Sequence, residues 1–265
     1  VSNKIAKINR LYWDIETSPN VGLFWQSGYK LNISHDSIVQ ERAIMCICYK
    51  WEHQKTVHSL EWDNGDDKKM IEEFIDILSM ADETVAHNGD NFDIKFFNSR
   101  VIYHDLVPQR PCNSVDTLKL ARKKFRFNSN RLDYLGKYLF GDGKIHTSFD
   151  LWKDILLKNC EKAMKKMVRY CKKDVLLLEK VYQKLCNYDE HKTHVGMLNG
   201  YDGWSCPHCA SIDVHRDGIR IFKASKKYRL RCKSCGRVYQ VSQANINKYY
   251  EYKKFEKPQE RRAKY

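Results

Sequence analysis

The sequence predicts an α/β fold in which a mixed five-stranded sheet is flanked by helices and followed by a small cysteine-bound module. Three observations carry that prediction. Strand-like runs open the chain, the hydrophobic period turns helical near residue 66, and four cysteines form two C-x-x-C pairs after residue 200. Residues 9–15 (NRLYWDI) read as a first strand, and 43–51 (AIMCICYKW) and 55–62 (KTVHSLEW) as two more, joined by a polar turn at 52–54. From 66 to 80, Ile71, Phe74, Ile75 and Leu78 share one helical face, and 84–87 (TVAH) is a short buried strand. A second helix is expected from about 92 to 102, followed by a loop with Pro108 and Pro111, a short strand at 114–117 and helical segments from 118. From 150 to 186 the pattern is helical throughout, with Met167, Val168, Cys171, Val175, Leu178 and Val181 as its apolar stripe.

These elements divide the chain into an α/β domain over 1–187, a polar linker over 188–200, the cysteine module over 201–240 and a basic, aromatic tail over 241–265. The tail reads as a helical arm or a disordered segment. An apolar share of 42%, with 16 Tyr and 6 Trp, excludes a disordered chain and supports a sizeable core. No run approaches the roughly 20 apolar residues of a membrane helix, so no membrane partner is expected and the protein is read as intracellular, cytoplasmic or nucleoid-associated.

The net charge of +14 favours an anionic polymer as partner. It is uneven: residues 187–265 hold 17 Lys and Arg against 8 Asp and Glu, whereas residues 1–186 hold 30 against 25. The ten cysteines also divide. Cys46, Cys48, Cys112, Cys160, Cys171 and Cys186 lie scattered in apolar or helical stretches and read as buried reduced thiols without a role.

Acidic residues in three separated segments carry the chemistry. In a strand alternate residues share a face, so Asp14 and Glu16 point one way while Trp13 and Ile15 point the other. In the last helix Tyr170 and Asp174 are one turn apart on one face. Carboxylates brought together must offset their repulsion, and divalent cations with oxygen ligands are the usual means. Asp116 and Asp133 fit no motif and read as capping or surface residues.

Together the segments resemble the DEDD superfamily of 3′-to-5′ exonucleases, the DnaQ-like branch of the RNase H-like fold. Asp14-Ile15-Glu16 matches its D-x-E motif; Asn88, Phe92 and Asp93 match N-x-x-x-F-D; Tyr170 and Asp174 match Y-x-x-x-D. Position 169 is Arg rather than His, which selects the tyrosine subclass, and N-G-D-N-F-D looks most like the proofreading domains of family B DNA polymerases. The match spans about 9–187, with no room for a polymerase. The resemblance implies a stand-alone exonuclease acting on single-stranded DNA 3′ ends, with ribonuclease D-like action on RNA as the alternative. It implies two Mg²⁺ or Mn²⁺ ions, with Asp14 bridging, Glu16 and Asp174 completing one site and Asp93 serving the second through water. Tyr170, a phenol of pKa about 10, would orient the attacking water. Asn88, Thr17 and Phe92 become candidate substrate contacts. A non-catalytic nucleic-acid-binding protein and a transposase-like endonuclease are the competing readings of other classes.

Cys206-Pro-His-Cys209 and Cys232-Lys-Ser-Cys235 are separated by 22 residues, a spacing suited to a zinc ribbon with one structural Zn²⁺. The intervening segment contains Asp217-Gly218 and alternating strand-like residues, as a small hairpin would. Two matched pairs in a segment with little core argue for a metal that drives folding rather than a redox dithiol. Its basic and aromatic residues suit contacts to phosphates and unpaired bases, and a protein partner for the module is the other option.

Overall fold

Alternation along the first strand sets the architecture. The computed structural model describes residues 8–26, 28, 32–141, 143, 148–189 and 192–262, of which 256–262 are described by backbone alone. Strand β1 (Arg10–Thr17) sends Leu11, Trp13 and Ile15 into one apolar cluster and Tyr12 into another, so both faces of the sheet are covered. A short ribbon, β2 (Val21–Gly22) with β3 (Ile38–Gln40), follows. The central sheet is completed by β4 (Ile44–Trp51), β5 (His58–Glu61), β6 (Glu83–Ala86) and β7 (Asn113–Asp116), in the order β5-β4-β1-β6-β7. β4 runs antiparallel to β1 and β5, whereas β6 runs parallel to β1 and β7. The sheet is therefore mixed, as its sequence predicts.

Helices α1 (Lys68–Ser79) and α2 (Asp93–Tyr103) bury Met70, Ile71, Phe74 and Phe97 against Trp13 on one face. The Trp13 ring centroid lies 5.2 Å from Phe74 and 6.3 Å from Phe97, an aromatic wedge that fixes the β1 backbone. The other face carries α3 (Thr117–Lys124), α4 (Leu132–Phe140), α5 (Asp150–Lys158) and α6 (Glu161–Leu185). The long pattern over 150–186 is thus two helices. Asn159 breaks it in the left-handed region, φ +47°, where its polar side chain is better tolerated than most. The stripe of Met167, Val168, Cys171, Val175, Leu178 and Val181 is buried as expected.

Among the ion pairs inside this unit, those of Asp67 and Arg10 tie separate elements together. Asp67 is fully buried, paired with Arg100 through two bonds of 2.8 Å, bonded to His104 at 2.6 Å, and accepting from the Ile44 N–H at 2.9 Å. Although burial alone would raise the Asp67 carboxyl, the Arg100 and His104 bonds hold it below its ordinary value. Arg10 bridges Glu83 at 2.7 Å and Glu52 at 2.6 Å, tying neighbouring strand ends together.

The chain divides into two compact units, Asn9–Asp189 and one that includes residues 192–262. In the second, β8 (Val214–Ile221), β9 (Lys226–Cys232) and β10 (Val238–Val241) form an antiparallel sheet in the order β10-β9-β8. Asp217 and Gly218 lie within β8, not at the hairpin turn. They form a bulge where register shifts between Arg216 and Gly218, Gly218 taking φ +142° as a bulge allows, and the turn closes at Phe222 N–H to Ser225 C=O, 2.8 Å. Part of the expected linker is the helical turn α7 (Val195–Leu198), with the Val195 N–H donating to Pro207 C=O at 2.8 Å. The start of the expected tail is the helix α8 (Gln243–Arg262), whose Ile246 and Tyr249 pack beside Trp204, Tyr228 and Leu230. Among the described residues no helix is long and apolar enough to cross a membrane.

Candidate active site

Asp14 and Glu16 end β1 on the face turned to α6, opposite the buried Trp13 and Ile15. Asp174 lies in the buried stripe of α6, fully inaccessible to solvent. A carboxylate oxygen from each of the three lies within 4.8 Å of the others, a set of hard donors at the spacing of a cation site. A β-bulge between Glu16 and Thr17 marks the strand end, as bulges often do where a side chain must be re-aimed. The Thr17 carbonyl accepts from Trp152 Nε1 at 3.1 Å, which occupies the Thr17 backbone group nearest α5.

Asp93 opens α2 and is 3% exposed; its Oδ1 accepts from the Ile15 N–H at 3.3 Å, which ties it to β1 midway between Asp14 and Glu16. Tyr170 stands one turn before Asp174 and packs partly into the core. Asn88 sits at φ +67° after β6, its N–H donating to Asp116 Oδ1 at 3.0 Å. Asp116 also caps α3 through Leu118 and Lys119, so it is the capping residue its sequence context suggests. Phe92 is 38% exposed beside Phe96, with centroids 5.9 Å apart. The acids of β1, α2 and α6 thus share one end of the sheet, with Asn88 at the end of the adjacent parallel strand.

A feature hidden from sequence reading borders the acids. The β1–β4 register sets Cys48 opposite Asp14 and Cys46 opposite Glu16, and Cys171 of α6 joins them, the three sulfurs lying within 4.8 Å of one another. Burial pushes the Cys171 thiol well up, so it stays protonated; its sulfur lies 3.6 Å from the Asp14 carbonyl and 3.8 Å from Asp14 Oδ2. Alternation along β4 puts Cys46 and Cys48 on one face, and the packing of α6 on that strand brings in Cys171. The expected surface residue Asp133 pairs with Lys137 at 2.8 Å and lines a neighbouring cleft of about 500 Å³ together with His87, Asn88, Arg122, Asn130 and Arg131.

In the second unit the two cysteine pairs form matching turns. Ala210 N–H bonds Cys206 C=O and Gly236 N–H bonds Cys232 C=O, each at 3.0 Å, with Ala210 at φ +57° and Gly236 at +73°. The Cys206–Cys235 and Cys209–Cys232 sulfurs are 3.6 Å apart. A tetrahedron with bonds of about 2.3 Å has edges of about 3.8 Å, so the four donors suit zinc closely.

The sequence profile of the RNase H superfamily matches residues 31–186, a span that takes in Asp93, Tyr170 and Asp174 and begins after Asp14 and Glu16. Among solved structures, the family B DNA polymerase of the hyperthermophilic archaeon Pyrobaculum calidifontis is similar at 17% identity and a TM-score of 0.51. The similarity covers 69% of this chain and 25% of that polymerase, and it shows a shared fold. No protein with a curated description matches the sequence. Sheet order, helical layers and a profile match over more than half its length lead to one conclusion: the chain belongs to the RNase H superfamily.

Proposed function

We propose that this chain is a metal-dependent 3′-to-5′ exonuclease that hydrolyses phosphodiester bonds at the 3′ end of single-stranded DNA and releases nucleoside 5′-monophosphates. The convergence of Asp14, Glu16 and Asp174 oxygens within 4.8 Å carries the reading. Asp14, Glu16 and Asp174 would hold one Mg²⁺ or Mn²⁺, with Asp14 shared and Asp93 serving a second. When bound, such ions activate a water and neutralise the leaving 3′ oxygen. The side chains themselves have distinct tasks. Asp93, fixed by the Ile15 N–H, holds its carboxylate beside β1. Tyr170, on the same face of α6 as Asp174, would orient the water in line with the scissile bond. Water adds to phosphorus as the 3′ oxygen departs, and no enzyme-bound intermediate forms. Phe92 and Asn88 would contact the terminal nucleotide. The four-cysteine module would hold one structural Zn²⁺ and grip nucleic acid through its basic strands.

A denaturing-gel time course tests this with 5′-labelled single-stranded DNA and RNA, Mg²⁺ or Mn²⁺, and Asp174→Ala as control. A DNA ladder shortening from the 3′ end, absent in the variant, is expected. A ladder on RNA alone reassigns the substrate, internal cuts indicate an endonuclease, and no cleavage under either metal refutes the activity.

A further inference from the structure

We infer that the cleft between the end of β6 and the α3–α4 connection is a nucleotide subsite that seats the strand beside the candidate metal site, with Arg122 and Arg131 binding its phosphates. The inference rests on the nucleic-acid reading above and adds to it where the strand lies. The cleft, about 500 Å³, is of the size that takes one nucleotide. It adjoins the acids within one residue. Asn88 lines it, and the next residue, Gly89, stands so near the acids that a methyl group there would lie 3.8 Å from Asp93 Oδ2.

Its charge is the second argument. Arg122 opens the basic last turn of α3 and Arg131 is the N-cap of α4, and both residues line the cleft. Neither makes an ion pair with a described carboxylate, whereas Asp133, the acid in the wall, is already bonded to Lys137 at 2.8 Å. Two uncompensated guanidinium groups facing one cavity are matched to the bidentate geometry of phosphate oxygens. Asn130, whose side-chain oxygen has no hydrogen-bond partner among the described residues, completes the wall between the two arginines. His87, held by Thr117 Oγ1 at 2.8 Å, and Asn88, held by Asp116, make the opposite wall rigid before a ligand arrives.

Salt-dependent binding of fluorescein-labelled octamers, oligo-dT and oligo-U, to the full chain without added Mg²⁺ tests the subsite. Each lost phosphate contact lowers the log–log salt slope by about 0.7 for a single strand, so Arg122→Gln/Arg131→Gln should lower it by about 1.4 and raise Kd by about tenfold or more. Arg122→Lys/Arg131→Lys, which keeps both charges, should restore most of the slope, and in cleavage assays the Gln pair should lose more in KM than in kcat. The two oligomers decide which polymer the cleft prefers. An unchanged slope and Kd in a Gln variant that melts like the wild type overturns the subsite, as does a wild type that binds neither oligomer. If the slope falls but the wild type never cleaves, the exonuclease reading fails and the subsite stands.

Discussion

The two units reach a folded state by different means. Asn9–Asp189 packs two apolar clusters on the two faces of a five-stranded sheet, with Trp13, Phe74 and Phe97 fully buried in one and α6 spanning the other. Among its described residues the second unit has one small cluster, around Trp204, Tyr228 and Leu230, and two of its nine buried members are cysteines of the paired turns. A large core tolerates the repulsion of gathered carboxylates, whereas a small one depends on its ligand to fold. The larger unit therefore carries the acidic site.

That contrast breaks first at the cysteines. Structural zinc contributes about 10–16 kcal/mol to folding of small modules, so Cys232→Ser, or removal of zinc by a chelator, should abolish the structure of the second unit and leave the first intact. Calorimetry should then show one transition, that of Asn9–Asp189; loss of both would refute independent folding. At the acids the effect is on rate and not on fold. Asp174→Asn should slow hydrolysis about 10³-fold, the scale of losing one strong electrostatic contributor, while the melting temperature holds or rises because a buried charge is gone.

A third change targets the core of the larger unit alone. Arg100→Met leaves Asp67 buried without its main partner and should cost about 3–5 kcal/mol in urea unfolding, with the second unit unaffected. Because the Asp67 carboxyl is held low in the folded state, its contribution is present above the unfolded value of about 3.9 and fades as pH falls through the folded value. Wild-type stability should thus drop below about pH 4 by more than that of the variant. Tyr170→Phe should lower kcat about tenfold, one hydrogen bond's worth, with KM nearly fixed. The smallest effect belongs to the second unit: Ala210→Gly relieves a left-handed alanine and should stabilise the module by about 1 kcal/mol, read as tighter zinc retention against a competing chelator.

Much of the candidate site was legible because its residues follow local periods. Alternation in β1 puts Asp14 and Glu16 on one face, and the helical stripe of α6 brings Asp174 inward. The C-x-x-C pairs are equally local. Features that depend on register or on which elements become neighbours were not legible. Cys171 joins Cys46 and Cys48 only because α6 packs on β4, and Arg122 and Arg131 line one cleft because α3 and α4 flank the end of β6. The break at Asn159 and the bulge at Gly218 turn on single left-handed or positive-φ residues that a periodic pattern passes over.

Gly89 lies between the cleft and the acids, where a methyl group would also come 2.4 Å from the Ala86 side chain. A saturation-mutagenesis survey scored on activity would accordingly find every replacement at this position harmful, and would rank it with the candidate metal-site acids. The intolerance would have a volumetric origin in a residue with no functional group, so such a map reports the shape of this corner of the molecule as faithfully as its chemistry.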